Sequence, residues 1–471
     1  MFTKNQISIY SKKRHLSGMA IIFSFLIVSM LHLSYAQSAA KALEFKIEKF
    51  VLANGLTVIV HEDSSIPLLS YQQWFRVGSA HEQVGRTGFA HFFEHLVFKG
   101  TNKYPGDVYE SLLQKNGGDN NAFTTRDYTG YYTNLPSDKL ELIIDIESDR
   151  MRNLLFDQKE IDSEREVVKE ERRMRYENSI FGSLYLGLVN TMYKTGPYSW
   201  PTIGSMKDLN AAKLTEFKSF YDQYYVPNNA VVVIAGDVKK SQVKSLIEKY
   251  YGQIPARDLP EFKPVAEAEQ RAPRQLKIYK DVQAETIAIG YPTPNVFSDD
   301  TYALEFLSMA LGGGASSRLY KNIVYKNQLA TSVSASLDSK KLAGDLSIFI
   351  SMKPGQTSSR SIQLVMTEIQ RMQNELLTEA ELAKLRNMVK LWYLNGLKTV
   401  SSRANQLAEA ETVFGDYNRV FTNIDKYNSV TAEDIRRVAQ KYMLSEKRTL
   451  VVIAPKAANE TTADKTEKES Q

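Results

Sequence analysis

The chain contains no cysteine, which excludes disulfides, thiol catalysis and cysteine-ligated zinc. It also lacks a long block of one charge. The net charge is +5 over 471 residues, and Lys and Arg are interspersed with Asp and Glu, so no nucleic-acid-binding surface is expected. After the N-terminal leader, no apolar run is long enough to span a bilayer. What remains is a globular composition, 43% hydrophobic and 24% charged, at a length that calls for two or three domains.

The leader has its own pattern. Lys4, Lys12, Lys13 and Arg14 precede an apolar run from Met19 to Leu33, followed by Ser34-Tyr35-Ala36 at the spacing a signal peptidase reads. Residues 1–36 are therefore expected to be a signal peptide of an exported protein, periplasmic if the host is Gram-negative. The alternative is an uncleaved anchor. No Cys follows the run, so a lipoprotein anchor is excluded.

Strand patterns cover Phe50 to Leu52, Leu56 to Val60 after the Asn54-Gly55 turn, Leu68 to Val77, Phe123 to Asn134 and Ala230 to Ala235. Helical periodicity covers Thr87 to Phe98, Val108 to Gln114, Leu140 to Asn153 and Gln158 to Tyr176. Pro255, Pro260, Pro264 and Pro273 then mark a polar linker. Beyond it the plan recurs. Strands at 276–279 and 286–291, a helix at 301–311, strands at 331–337 and 346–352 and helices at 358–376 and 379–395 lead to a strand at 449–454. That last strand repeats the Val-Val-Ile-Ala of Val232 to Ala235. The expected fold is α+β, two homologous halves each built on a mainly antiparallel sheet packed with helices. The expected boundaries are 37–254 for the first half, 255–274 for the linker, 275–456 for the second half and 457–471 for a disordered tail.

His91-Phe92-Phe93-Glu94-His95 is the sharpest motif. On a helix, His91 and His95 lie one turn apart on one face and can share a zinc ion, with Glu94 beside them near a metal-bound water. This reverses the thermolysin-type order. A packed, hydrogen-bonded histidine pair is the alternative. A third ligand would decide, and the helix Glu164 to Glu171 offers several carboxylates among which spacing alone does not choose.

Together these features resemble the pitrilysin and insulysin family of zinc peptidases, in particular its bacterial and mitochondrial processing-peptidase branch. The likeness covers nearly the whole chain after the leader. It rests on Gly78-Ser79 with Glu82, His91 to His95 with Phe98-Lys99-Gly100-Thr101, Asn121-Ala122-Phe123-Thr124, and the run Glu164 to Glu171. Tyr198 with Pro201 and Gly204, and Tyr225 to Asn229 leading to Gly236-Asp237, also match. The resemblance implies one zinc per chain on His91, His95 and Glu171, with Glu94 as general base and Glu164 as a supporting carboxylate. It also implies that Asn121 and Ala122 lie on an edge strand holding extended peptide substrates; from the residues alone, Asn121 reads as a turn residue after Gly117-Gly118.

Aligned without gaps, Ala303 to Gly313 opposes Ala90 to Gly100, placing Leu304, Leu307 and Ser308 opposite His91, Glu94 and His95. The second half is thus expected to hold no metal and to form the wall of a chamber, of which the chain supplies half. Relatives carry an Arg and a Tyr there that bind substrate and stabilise the oxyanion. Arg318 keeps its context after Gly312-Gly313-Gly314, but Thr331 stands where the family tends to have Tyr. The expected activity is zinc-dependent endopeptidase cleavage of extended or unfolded peptides, in a heterodimer with a zinc-less homologous subunit; a homodimer is the alternative. The competing function is that of a non-catalytic structural or binding subunit of a peptidase-like complex.

Overall fold

The structure, a computed structural model, describes residues 45–456. The expected signal peptide and the expected disordered tail lie outside the described residues. The chain divides between Lys46 and Ile47, and the fold is that of the part from Ile47 onward.

Two sheets organise it. The first contains β1 (Lys46–Val51), β2 (Thr57–Glu62), β3 (Leu68–Phe75), β4 (Asp119–Thr124), β5 (Thr129–Pro136) and β6 (Ala230–Gly236), in the order β1-β2-β6-β3-β5-β4. The second contains β7 (Arg274–Lys280), β8 (Thr286–Thr293), β9 (Ala330–Ser339), β10 (Gly344–Met352) and β11 (Thr449–Pro455), in the order β7-β11-β8-β10-β9. Each holds a parallel pair, β2–β6 and β7–β11. The pairs from β6 through β3 and β5 to β4 are antiparallel, as are those from β11 through β8 and β10 to β9. Apart from β1, the two orders superimpose strand for strand, and the repeated Val-Val-Ile-Ala falls on the matching strands β6 and β11. The fold is α+β with two equivalent halves.

Helices α1 (Phe89–Val97), α2 (Gly106–Lys115), α3 (Leu140–Asn153), α4 (Gln158–Arg172), α5 (Ile180–Met192), α6 (Met206–Ala211), α7 (Leu214–Tyr224) and α8 (Lys240–Tyr251) belong to the first half. Helices α9 (Asp300–Gly312), α10 (Ser358–Asn374), α11 (Glu379–Gly396), α12 (Val400–Phe414), α13 (Arg419–Ser429) and α14 (Ala432–Tyr442) belong to the second. Two of them are exchanged between the halves. Helix α5 lies against β7, β8 and β11, while α12 lies against β3 and β6. Residues 255–273 contain no helix or strand.

Two expectations need correction. The run Phe123 to Asn134 is not one strand but the hairpin β4–β5. Thr125 breaks it: its Oγ1 accepts the backbone N–H groups of Asp127 and Tyr128, a side-chain turn that competes with the ladder. The helix expected to run to Tyr176 is α-helical only to Arg172 and continues as a π-helical turn over Arg173–Glu177.

Candidate metal centre

Helix α1 is held from its N-terminal end. Gly88 enters it with a left-handed φ of 91°, and a Cβ there would sit 2.7 Å from the carbonyl oxygen of Ile203. Glu82 is buried and accepts the N–H groups of Gly88 at 2.9 Å and Ala90 at 2.8 Å, satisfying donors that the first turn leaves open. Burial pushes the Glu82 carboxyl up to about 8, against the pull of those two donors. With Phe92, Phe93 and Leu96 in the core, the helix turns His91, Glu94 and His95 toward a cleft.

Helix α4 forms the facing wall. Asp157 caps it by accepting from the N–H groups of Lys159 and Glu160. Val168 anchors it in the core, and Glu164 and Glu171, two turns apart, face α1. His95 Nε2 lies 3.2 Å from Glu171 Oε2, and His91 Nε2 lies 3.6 Å from Glu171 Oε1. One ligand atom from each of the three residues falls within 4.8 Å of the others. Ligand atoms about 2.0 Å from a tetrahedral ion stand roughly 3.3 Å apart, so this nitrogen–nitrogen–oxygen set fits zinc.

The surrounding groups orient the set. His95 Nδ1 meets Glu164 Oε1 at 2.8 Å, and Lys99 Nζ pairs with Glu164 Oε2 at 2.5 Å. Such a carboxylate–histidine pair fixes ring orientation. His91 Nδ1 is buried without a hydrogen-bond partner among the described residues, so the ring is held by packing and by its Nε2 contact with Glu171. Burial opposes charge on His95, but Glu164 and Glu171 outweigh it and lift the imidazole to about 9. Burial likewise opposes ionisation of Glu171, yet its contacts with the two histidines and the charge of Arg175 hold it well below the usual carboxylate range.

Glu94 lines the same cleft, and its Oε2 accepts a hydrogen bond from Thr124 Oγ1. Strand β4, which supplies Thr124, is the terminal strand of its sheet, and Asn121 and Ala122 lie on it beside the cleft. The Ala122 N–H is taken up by the Asn121 side chain at 2.8 Å. The cleft encloses about 540 Å³ and also includes Lys99, Arg175 and Tyr176.

The structure therefore brings together His91, Glu94, His95, Asn121, Ala122, Glu164 and Glu171. It does not bring Arg318 to them. That guanidinium makes a two-pronged contact with Glu381, at 2.9 and 3.1 Å, and is absent from the cleft lining. Thr331 donates its hydroxyl to the Ser351 carbonyl on the neighbouring strand. Leu304, Leu307 and Ser308 are buried on α9, the counterpart of α1, and lie outside any cluster of metal-ligating side chains among the described residues. Sequence reasoning gave no role to Thr124, Lys99 or Glu82 and overlooked Arg175. Thr124 is two residues beyond Ala122 and so on the same strand face. Arg175 is four residues beyond Glu171, close enough to contact it at 2.8 Å.

A family model described as Insulinase (Peptidase family M16) matches residues 57–205, and one described as Peptidase M16 inactive domain matches residues 211–389. The zinc protease PqqE of Helicobacter pylori is 31% identical over 425 residues, covering 87% of this chain and 93% of its own. An uncharacterized zinc protease of Mycobacterium leprae is 28% identical over 414 residues, 87% of this chain and 92% of its own. Among solved structures, that of a protease from Helicobacter pylori superimposes with a TM-score of 0.84 at 29% identity, covering 87% of this chain and all of that one (100%). A Pseudomonas fluorescens structure described as a peptidase M16 inactive domain shares the fold, with a TM-score of 0.80 at 18% identity over 88% of this chain and 98% of that one.

Proposed function

The chain belongs to the insulinase family, peptidase family M16, and from that premise we propose that it is a zinc-dependent endopeptidase acting on extended peptides. One observation carries the reading: two imidazole nitrogens and a carboxylate converge on a point, while a second carboxylate, Glu94, is held in the same cleft outside the ligand set.

Zinc held by His91, His95 and Glu171 would polarise the scissile carbonyl and lower the pKa of a bound water. The chain's own groups do the rest. Glu94, steadied by Thr124, takes the proton of the attacking water and returns it to the departing amine nitrogen. Glu164 and Lys99 keep His95 in register. Asn121 and Ala122 lie on β4, whose free edge can take a peptide as a further strand through main-chain hydrogen bonds once the Asn121 side chain releases the Ala122 N–H.

Zinc analysis combined with peptide hydrolysis tests this. Wild-type protein is expected to hold one zinc per chain, and His91→Ala, His95→Ala and Glu171→Ala should each lose most of it. Glu94→Gln should keep the metal and lose turnover by several orders of magnitude. Near-normal hydrolysis by Glu94→Gln would refute the assignment of the base.

The partner reading rests on Arg318. With that guanidinium engaged by Glu381 and Thr331 in place of a Tyr, the second half offers the cleft no oxyanion donor. A missing donor costs about 10²–10³ in rate. A zinc-less homologous subunit carrying both groups would supply it, and a homodimer with another donor is the alternative. Adding the candidate partner should raise hydrolysis strongly; full activity of the single chain, unchanged by the partner, would exclude the heterodimer. Export is tested by N-terminal sequencing of the protein from its native host: a start near Gln37 outside the cytoplasm supports it, and a soluble form retaining residues before Ser34 excludes it.

A further inference from the structure

A second cavity, a groove of about 400 Å³, lies on the other side of the edge strand from the metal centre. Gln72 of β3, Tyr132 of β5 and Phe123 of β4 line it from the sheet, and Ser401, Asn405 and Gln406 line it from the first turns of α12. Phe123 also borders the metal cleft, so the two cavities meet at β4.

Register ties the groove to a bound peptide. Gln72 pairs with Tyr132, and Tyr132 pairs with Asn121, so these residues form one row across β3, β5 and β4. Ala122 and Tyr131, one step along, point instead into the core shared with α1. A peptide added to the free edge of β4 would place one residue at the end of the Gln72–Tyr132–Asn121 row. Because side chains alternate along a strand, that residue would face α12 while its two neighbours face the metal side.

The groove also has a distinct chemistry. None of these six lining residues is charged. Gln72 is already engaged by Ser70 and Trp74. Among the described residues, the side chains of Ser401, Asn405 and Gln406 have no hydrogen-bond partner, although all three are half-buried. Arg403, the nearest cation on α12, is turned away to His61 and Asp63. A charged side chain would lose water here without meeting a counter-charge, and an apolar one would leave the amides unpaired.

Resting on the peptidase reading above, we infer that this groove is a substrate side-chain subsite selecting uncharged polar residues such as Gln or Asn, and that the second half supplies it through α12. The half without the metal centre thereby takes part in choosing the substrate.

The test uses the zinc-loaded full chain and peptides of constant flanking sequence carrying Gln, Leu, Glu or Lys at successive positions around the cleaved bond. One position should favour Gln by about tenfold, the scale of one or two hydrogen bonds, with no such preference at its immediate neighbours. Asn405→Leu combined with Gln406→Leu should abolish that preference. Gln406→Lys should move it to Glu, a gain that a damaged fold could not produce. Profiles unchanged in both variants overturn the subsite. If no peptide is cut even with the candidate partner subunit added, the peptidase reading fails separately, and fluorescence anisotropy of the same peptides on zinc-loaded Glu94→Gln decides the subsite. The same ranking there, moved by Gln406→Lys, supports it; equal affinity for all four peptides overturns it.

Discussion

Thr124 sets the position of the Glu94 carboxylate through one side-chain hydrogen bond, without contacting the ligand set itself. Thr124→Val keeps the shape and removes the hydroxyl, so kcat should fall about tenfold while zinc content and KM hold, a split that steady-state kinetics resolves. His81 gives a different residue-scale prediction. Its ring stacks on Phe262 of the linker at 4.4 Å, and burial pushes its imidazole down to about 4. A histidine with a depressed folded-state pKa contributes stability above its unfolded value near 6.5 and loses that contribution as pH falls toward 4. Lowering the pH from 7 to 5 should therefore cost on the order of 1–2 kcal/mol through this group. Thermal melts across that range should show the loss in wild type and a flatter profile in His81→Gln. In the metal site, the sequence displayed the helix pair because His91, Glu94 and His95 are close in the chain. It left Glu171 to resemblance, because α4 carries a carboxylate at nearly every turn and the packing of Ile161 and Val168 selects the face.

At the scale of elements, α1 depends on a residue outside itself. Glu82 serves two of its first-turn N–H groups from six and eight positions upstream. Glu82→Ala should cost about 1–3 kcal/mol by leaving buried donors unsatisfied, and Glu82→Gln somewhat less, since one of its two amide positions can still accept. Urea unfolding checks the stability, and competition with a chelator should show weaker zinc binding in the same order, since the cap fixes the helix that bears two ligands. Such a cap is hard to read from sequence, because Glu82 sits in a loop outside any helical period. Elsewhere the legibility was uneven. The strands of both sheets alternate or run apolar and were readable, as were α9, α10 and α11. Helices α5 to α8 and α12 to α14 were not read, and for α5 and α12 the contacts explain why. Each lies on the sheet of the opposite half, so its apolar positions answer to a distant surface. In α12 Ala404, Leu407 and Ala408 are buried, and so are Arg403, Glu411 and Thr412, a pattern with little amphipathic contrast.

For the whole molecule, the exchange of α5 and α12 makes each half incomplete alone. By alternation Trp74 of β3 and Val231 and Val233 of β6 face away from the α1 side, toward α12, and all are fully buried. Leu184, Leu188 and Met192 of α5 share a core with Ala288, Val451 and Ile453 of the second sheet. Polar contacts fasten the same boundary. Asp127, in the turn between β4 and β5, accepts the Tyr198 hydroxyl at 2.5 Å and the Lys341 N–H at 2.9 Å. Tyr193 reaches Asp345 at 3.0 Å, and Asp345 pairs with Lys340 at 2.8 Å. Cutting the chain in the linker and expressing residues 47–254 alone would bare Trp74, Val231 and Val233. At about 1.5–3 kcal/mol for each large side chain, that loss is comparable with the whole stability of a typical domain. The isolated piece should therefore be insoluble or molten, binding a hydrophobic dye and holding no zinc, whereas co-expression with residues 275–456 should restore a compact, zinc-binding complex. The intact chain should unfold in one calorimetric transition, because neither sheet keeps its cover once the other is lost. A soluble, zinc-loaded 47–254 fragment, or two separated transitions in the intact chain, would show that the exchanged helices are dispensable coverings rather than shared core.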